Sequence, residues 1–373
     1  MTDQRGDAAS SRPRIVVTGA GGFLGWHVRA ALVSEGFEPV ALGLGEGFDL
    51  SRAARMVSSA QSVIHLAGMN RGTDPEVHDG NILFARQLSD ALALADSSPR
   101  SLVYANSVQA DNDSPYGRSK RAAGDLLAAE TGLRGVVFRD VLLPNIFGEH
   151  GRPFYNSVVA TFCHLVATGG SPTIDQDRSL TLLHAQNAAD LLIGTTEDLT
   201  AMTREITVSG VLESIQGMAA RYAGGDVPDI TDPFDRDLFN TYRSFLFDVR
   251  PAIPLRRHAD ARGSFFEIVR SHGGQGQSSF STTVPGISRG DHFHRRKVER
   301  FTVLSGEAVI SIRRLFGDET VEIPVSGAEP VAVDMPTMWS HKITNTGSSE
   351  LYTSFWANDV FDPASPDTFP EAV

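Results

Sequence analysis

The sequence predicts an α/β domain of the Rossmann type followed by an all-β domain, a jelly roll or barrel, with the change near residue 250. Three observations carry this. The run "RIVVTGAGGFLGWHVRAALVSEG" is an apolar strand, a glycine turn and an amphipathic helix, and further strand–helix units follow it. After "DVRPAIPLRRHADARGS" helical periodicity fades into short β-rich runs bounded by glycine turns: "FTVLSGEAVISIRRL", "EPVAVDMP" and "SELYTSFWAND". At 373 residues the chain is also too long for one ordinary core. The expected division is a polar, disordered tail over residues 1–13, a nucleotide-binding domain over 14–248 and a second domain over 249–373.

Composition narrows the class. A net charge of −12 argues against a nucleic-acid-binding surface. Cys163 is the single cysteine, which rules out an intrachain disulfide and a cysteine-rich zinc site; its setting, "SVVATFCHLVA", reads as a buried helix position. No signal-peptide pattern precedes the first strand and no apolar run approaches membrane-spanning length, so the expectation is a cytoplasmic enzyme without membrane or nucleic-acid partners.

Gly19, Gly22 and Gly25 form the first turn, with Phe23 opening the helix. Glycines let the backbone approach a pyrophosphate, whose charge the helix N-terminus stabilises. The second strand, "PVALGLGEG", ends without the acidic residue expected to bind an NAD ribose, which favours NADPH over NADH; yet no arginine stands there for a 2′-phosphate. "SVIHLAGMNRG" (62–72) reads as the fourth strand and the loop facing the cofactor, with Leu66 and Ala67 in that loop. "RSLVYANSVQA" (100–110) reads as the fifth, ending at Ser107. In "NDSPYGRSK", Tyr116 and Lys120 fall four residues apart, on one helical face.

These residues resemble the extended short-chain dehydrogenase/reductases, which share a Tyr-x-x-x-Lys pair and an upstream serine. Asn81 in "GNILFARQL" and the run "PNIFG" (144–148) match further positions of that family, and Asp49-Leu50 resembles its adenine-contacting pair. The resemblance implies Tyr116 as general acid, Lys120 on the nicotinamide ribose and Ser107 on the substrate oxygen. A phenol titrates near about 10, and a nearby ammonium is expected to lower it. Residues 149–245 are expected to carry the substrate-binding portion. Asn145 and Arg178 are the substrate candidates, the latter where such enzymes use a basic residue for a nucleotide-sugar diphosphate; a surface arginine is the competing reading.

"GISRGDHFHRRKVERFTVLSG" resembles the first cupin motif throughout, from Gly286 through His292, His294 and Glu299 to Gly306. "PTMWSHKITN" keeps Pro336, His341 and Asn345 of the second motif but puts Met338 where glycine is usual. Three imidazoles and a carboxylate suit Zn²⁺ or another divalent metal. "DARGSFFEI" and "ISRGDHF" also resemble dTDP-4-dehydrorhamnose 3,5-epimerase, whose histidine base would fall on His292, so that residue is either a ligand or a proton acceptor.

Across residues 14–373 the chain resembles the bifunctional capsular-polysaccharide enzymes acting on UDP-2-acetamido-2,6-dideoxy-β-L-arabino-hex-4-ulose. The stretches that carry this include "HLAGMNR", "SVQADNDSPYGRSK", "YNSVVATFC" and "DPASPDTF". The resemblance implies C3 epimerisation in a zinc cupin, then NADPH-dependent C4 reduction to UDP-N-acetyl-L-talosamine, by a homodimer taking a UDP-linked 4-keto-6-deoxy-N-acetylhexosamine. Lys297 matches a lysine of that family and is the candidate proton carrier at C3, with Tyr352 and His341 as others. The alternative is a plain NAD(P)H-dependent nucleotide-sugar reductase whose barrel is a structural or dimerisation module.

Overall fold

The computed structural model describes residues 12–373. The expected tail therefore lies, up to Ser11, outside the described residues. These residues form two compact units: one holds those up to Pro144 together with Gln186–Leu199, the other Asn145–Ala185 together with Thr200–Val373.

In the first unit β1 (Arg14–Thr18), α1 (Phe23–Ser34), β2 (Glu38–Leu42), α2 (Leu50–Ser58), β3 (Ser62–His65), α3 (Asp74–Leu94), β4 (Ser101–Ser107), α4 (Pro115–Leu133) and β5 (Val137–Leu143) follow one another. The sheet is parallel, in the order β2-β1-β3-β4-β5. Its order reverses between β1 and β3, and a ligand sits outside the carboxyl ends of strands at such a point. Val16, Val63 and Leu102 of the sheet pack with Leu88 and Leu92 of α3 and Leu127 of α4. The run 62–72 supplies the third strand rather than the fourth, and 100–110 the fourth rather than the fifth. The reason lies in "GLGEGFD" (43–49): glycine weakens a strand, and this loop leads straight into α2, which Asp49 caps by accepting from Arg52 N at 2.9 Å.

In the second unit β6 (Asn145–Phe147), α5 (Val158–Thr168) and β7 (Ser179–His184) come before α6 (Ala185–Ile193), which from Gln186 on belongs to the first unit. Then come β8 (Thr203–Thr207), α7 (Val208–Ala223) and α8 (Pro233–Phe247). All regular structure beyond is β: β9 (Ile253–Pro254), the hairpin β10 (His258–Asp260) and β11 (Gly263–Phe265), β12 (Gln277–Thr283), β13 (Ser288–Phe293), β14 (Glu299–Ser305), β15 (Glu307–Arg314), β16 (Thr320–Ser326), β17 (Val331–Met335), β18 (Trp339–Asn345), β19 (Leu351–Ala357) and β20 (Phe369–Pro370). Apart from that hairpin, they form two antiparallel five-stranded sheets, β12-β19-β14-β17-β9 and β16-β15-β18-β13-β20, the expected jelly roll.

Phe301, Val303, Ile310, Ile312, Val333 and Ile343 fill the barrel. A further apolar core joins Phe162 of α5, Ile215 of α7 and Phe239 of α8 to Val298, Ala332 and Trp356 of the β portion. Cys163 lies in that core, where burial pushes its thiol well above the usual range. Beside it the buried Arg300 grips Asp334 with Nε at 2.6 Å and Nη2 at 2.9 Å, Tyr222 donates to the same carboxylate at 2.6 Å, and Arg300 Nη1 donates to Gly225 O at 2.8 Å.

Candidate active site and metal centre

The turn after β1 is built for close backbone approach. Gly19 has φ +66°, and a Cβ there would lie 2.7 Å from Ala67 N; a Cβ on Gly25 would strike the Gly19 carbonyl. Gly22 is the N-cap of α1 and offers no side-chain cap, so the first N–H groups of α1, from Phe23 on, remain for an anion. The opposing loop is held from beneath. Thr18 Oγ1 accepts from Leu66 N at 3.1 Å and Ala67 N at 3.2 Å, so its own proton goes to His65 Nδ1 at 2.7 Å. Burial, with Lys120 nearby, lowers the His65 pKa to about 3, keeping it neutral. These residues fit a dinucleotide whose pyrophosphate lies over the glycine turn.

Ser107 ends β4, while Tyr116 and Lys120 lie in the first turns of α4. A Cβ on Gly117 would collide with the Gln109 carbonyl, so glycine there lets α4 close onto the turn after β4. Lys120 does not bond the phenol. Its Nζ donates to Ala105 O at 2.7 Å and lies 4.1 Å from the centre of the Tyr104 ring. Burial lowers this ammonium to about 7, opposed by Asp140. The Tyr116 phenol, expected to be lowered by the ammonium, is instead raised by burial. The buried Asn81 ties this helix to the loop before α3: its Nδ2 donates to Met69 O at 2.9 Å and to Ser119 Oγ at 3.0 Å.

In the second unit Asn145 is exposed at the start of β6, its Nδ2 3.4 Å from Thr181 O, and Arg178 is exposed just before β7.

The barrel brings all four predicted ligands together. One ligand atom each from His292, His294, Glu299 and His341 falls within 4.8 Å of the others. Glu299 Oε2 lies 2.9 Å from His294 Nε2, 3.3 Å from His341 Nε2 and 4.0 Å from His292 Nε2. Strand register explains this: His292 on β13 pairs with His341 on β18 across a bulge that starts at Gly290. Two of the Nδ1 atoms are committed elsewhere. His294 Nδ1 donates to Asp367 O at 2.6 Å and His341 Nδ1 to Trp339 O at 3.2 Å, which leaves Nε2 facing the cup. Burial, then the neighbouring imidazoles, lowers His292 to about 4; burial also lowers His341. For Glu299 burial works upward, but the adjacent His294 and His341 imidazoles carry the carboxyl well below its ordinary range. Three imidazole nitrogens, two of them on rings of fixed tautomer, and one carboxylate fit a divalent cation.

A cavity of about 160 Å³ adjoins the cup, lined among others by Glu299, Lys297, Trp356, Asp359 and Asp367. Lys297 Nζ donates to Thr368 Oγ1 at 3.1 Å on its wall. Tyr352, by contrast, stands exposed on β19 and donates to Glu350 at 3.0 Å, outside the cup.

Residues 15–202 match the NAD dependent epimerase/dehydratase family, and residues 258–369 match the Polysaccharide biosynthesis C-terminal domain. The chain belongs to the NAD dependent epimerase/dehydratase family. This family member is similar to the UDP-2-acetamido-2,6-beta-L-arabino-hexul-4-ose reductase of Pseudomonas aeruginosa, at 31% identity over 96% of the chain and 99% of that relative. It also resembles a crystal structure of the capsular polysaccharide assembling protein CapF from Staphylococcus aureus, with TM-score 0.60 and 30% identity over 96% of the chain and all of that structure's chain. The Bacillus subtilis spore coat polysaccharide biosynthesis protein SpsL matches 30% of the chain and 81% of its own length, at 25% identity. The kinship read from the motifs thus holds across both halves.

Two groups of residues escaped the sequence reading. Thr18 and His65, buried under the Leu66–Ala67 loop, sit on strands where nothing marks them as polar anchors. Asp367 is the other: its carboxylate accepts from Arg295 N at 2.9 Å, Arg296 N at 2.8 Å and Lys297 N at 2.7 Å, holding the loop between ligands. Its signal was the ending "DPASPDTF", which carried kinship but no role.

Proposed function

We propose that this chain is a bifunctional nucleotide-sugar enzyme. It inverts C3 of a UDP-linked 4-keto-6-deoxy-N-acetylhexosamine in the barrel, then reduces the C4 ketone to give UDP-N-acetyl-L-talosamine, a capsule precursor. The observation that carries it is that one chain holds both a Ser107, Tyr116, Lys120 reductase set and the four-ligand cup. The reductase named among its relatives supports the substrate class.

Bound NADPH would supply a hydride, and His292, His294, Glu299 and His341 would hold a divalent cation whose chemistry there would be Lewis acidity. The chain's own residues do the rest. Tyr116, kept protonated by burial, gives its proton to the C4 oxygen as the carbonyl is reduced, and Ser107 donates a hydrogen bond to that oxygen. Lys120 holds the ribose; Gly19, Gly22, Phe23 and Gly25 hold the pyrophosphate, Leu66 and Ala67 flank the cofactor, and Asp49 and Leu50 stand toward the adenine. Asn145 and Arg178 meet the nucleotide sugar. Lys297, on the cavity wall beside Glu299, carries the proton at C3. The domain reading keeps 14–248 as the reductase part and 249–373 as the cupin.

The enzyme works in the cytoplasm as a homodimer. Among the described residues no helix is long and apolar enough to cross a membrane. The exposed Phe280 on edge strand β12, with Val284 and Ile287 just beyond it, supports self-association.

The test is incubation with the UDP-linked ketosugar in deuterated water, with and without NADPH, followed by NMR of the product. The expected result is deuterium at an inverted C3 and cofactor oxidised in proportion to alcohol formed. An alcohol retaining both its original C3 hydrogen and its configuration would reduce the barrel to a structural module.

A further inference from the structure

Two adjacent residues after β6 hold the turn that precedes His341. Thr337 Oγ1 donates to Glu149 Oε1 at 2.7 Å, and Trp339 Nε1 donates to His150 Nε2 at 2.9 Å. Glu149 and Thr337 are both buried, as is His184, whose Nε2 lies 3.1 Å from Glu149 Oε2. The tripeptide so gripped touches two ligands through its backbone. Met338 N donates to His294 O at 2.6 Å, and Trp339 O accepts the His341 Nδ1 proton at 3.2 Å. His150 and Met338 both have φ of 60°, a left-handed conformation uncommon for such residues and one that persists only where its surroundings impose it.

We infer that Glu149 and His150 are positioning residues for the metal cup. They fix the orientation of the Thr337–Trp339 turn, and the turn fixes the tautomer and ring plane of His341. The segment that follows Asn145, a proposed substrate contact, thereby sets the geometry of the cup. This rests on the cup being a metal site, which the experiment addresses first.

The protein is stripped of metal and titrated with Co²⁺, reading the visible ligand-field absorption, and affinity is measured by competition with a chelator. Stoichiometric uptake by the wild type establishes the cup as a metal site; no uptake at all would overturn the metal reading and this inference with it. Thr337→Val keeps the shape of the side chain but removes its hydroxyl, and is expected to weaken affinity about 10–100-fold and alter the Co²⁺ spectrum. Thr337→Ser restores the hydroxyl and is expected to return both to wild-type values. Trp339→Phe keeps an aromatic ring against Phe247 but loses its N–H, and is expected to shift the spectrum in the same sense. Wild-type affinity and spectrum in Thr337→Val, with only its melting temperature lowered, would mean that the grip merely stabilises the fold. So would a Thr337→Ser variant as impaired as Thr337→Val.

Discussion

Replacing Met338 sets two effects of opposite sign against each other. Met338 is fully buried at φ 60°, donates to His294 O at 2.6 Å and accepts from Leu315 N at 3.3 Å. Glycine would relieve the left-handed strain, roughly 1–2 kcal/mol, but its added freedom in the unfolded chain offsets roughly 0.5–1 kcal/mol of that. It would also remove a buried methionine side chain, a loss of roughly 2–5 kcal/mol. Burial wins, and Met338→Gly is expected to be less stable than the wild type by about 2–3 kcal/mol. Met338→Ala loses nearly as much burial and keeps the strain, so it should be worse than glycine by about 0.5–1 kcal/mol. The assay is guanidinium unfolding of metal-free protein followed by tryptophan fluorescence, since Trp339 and Trp356 report on the second unit and Trp26 on the first. Midpoints of the second unit's transition are compared, because a chain of two units need not unfold in one step. An alanine variant at or above glycine would refute the argument from the backbone, and a glycine variant above the wild type would refute the argument from burial.

Asp367→Ala strips the acceptor from three loop N–H groups and should weaken divalent-metal affinity about 10–100-fold in chelator competition, with Asp367→Asn between it and the wild type; unchanged affinity would deny Asp367 a part in the cup. Tyr116→Phe should lower kcat of NADPH oxidation about 10²–10⁴-fold while NADPH still binds, and a full-rate variant would remove Tyr116 as the acid. Lys120 gives a pH signature in the cofactor-free chain. Its pKa is about 7 when folded and its ordinary value is 10.5, so below pH 7 both states hold the proton and stability is flat. Above pH 7 the unfolded state alone keeps it, so the first unit should gain stability toward pH 10. Lys120→Met should abolish that rise in pH-dependent denaturation.

What the sequence showed best was local. The glycine turn, the Tyr116–Lys120 spacing and the His292, His294, Glu299 run each lie within one or two turns or strands, where spacing alone dictates the face. Met338 stood out for the same reason, and its left-handed backbone explains why glycine is usual there. What stayed hidden depends on distant partners. Asp367 meets the His294–Lys297 loop only once the barrel closes, and the choice of Lys120 between a phenol and the Ala105 carbonyl is a matter of packing under Tyr104. Tyr352 shows the same dependence: strand residues alternate, and its buried neighbours Leu351 and Thr353 take the inner face. The extra strand expected before residue 62 failed because a glycine-rich loop followed by a capped helix left no room for it.

The mixed core of the second unit bears on how such a chain could be cut. Phe162, Ile215 and Phe239 lean on Val298, Ala332 and Trp356, and Tyr222 donates a hydrogen bond to Asp334. Severing the polypeptide after residue 248 would bare that apolar seam on the upstream fragment and leave Arg300 and Asp334 without Gly225 and Tyr222. Neither fragment is then a ready-made module, and a working isolated reductase would have to be redesigned along the seam, with polar replacements at Phe162, Ile215 and Phe239, before it could be expected to stay in solution.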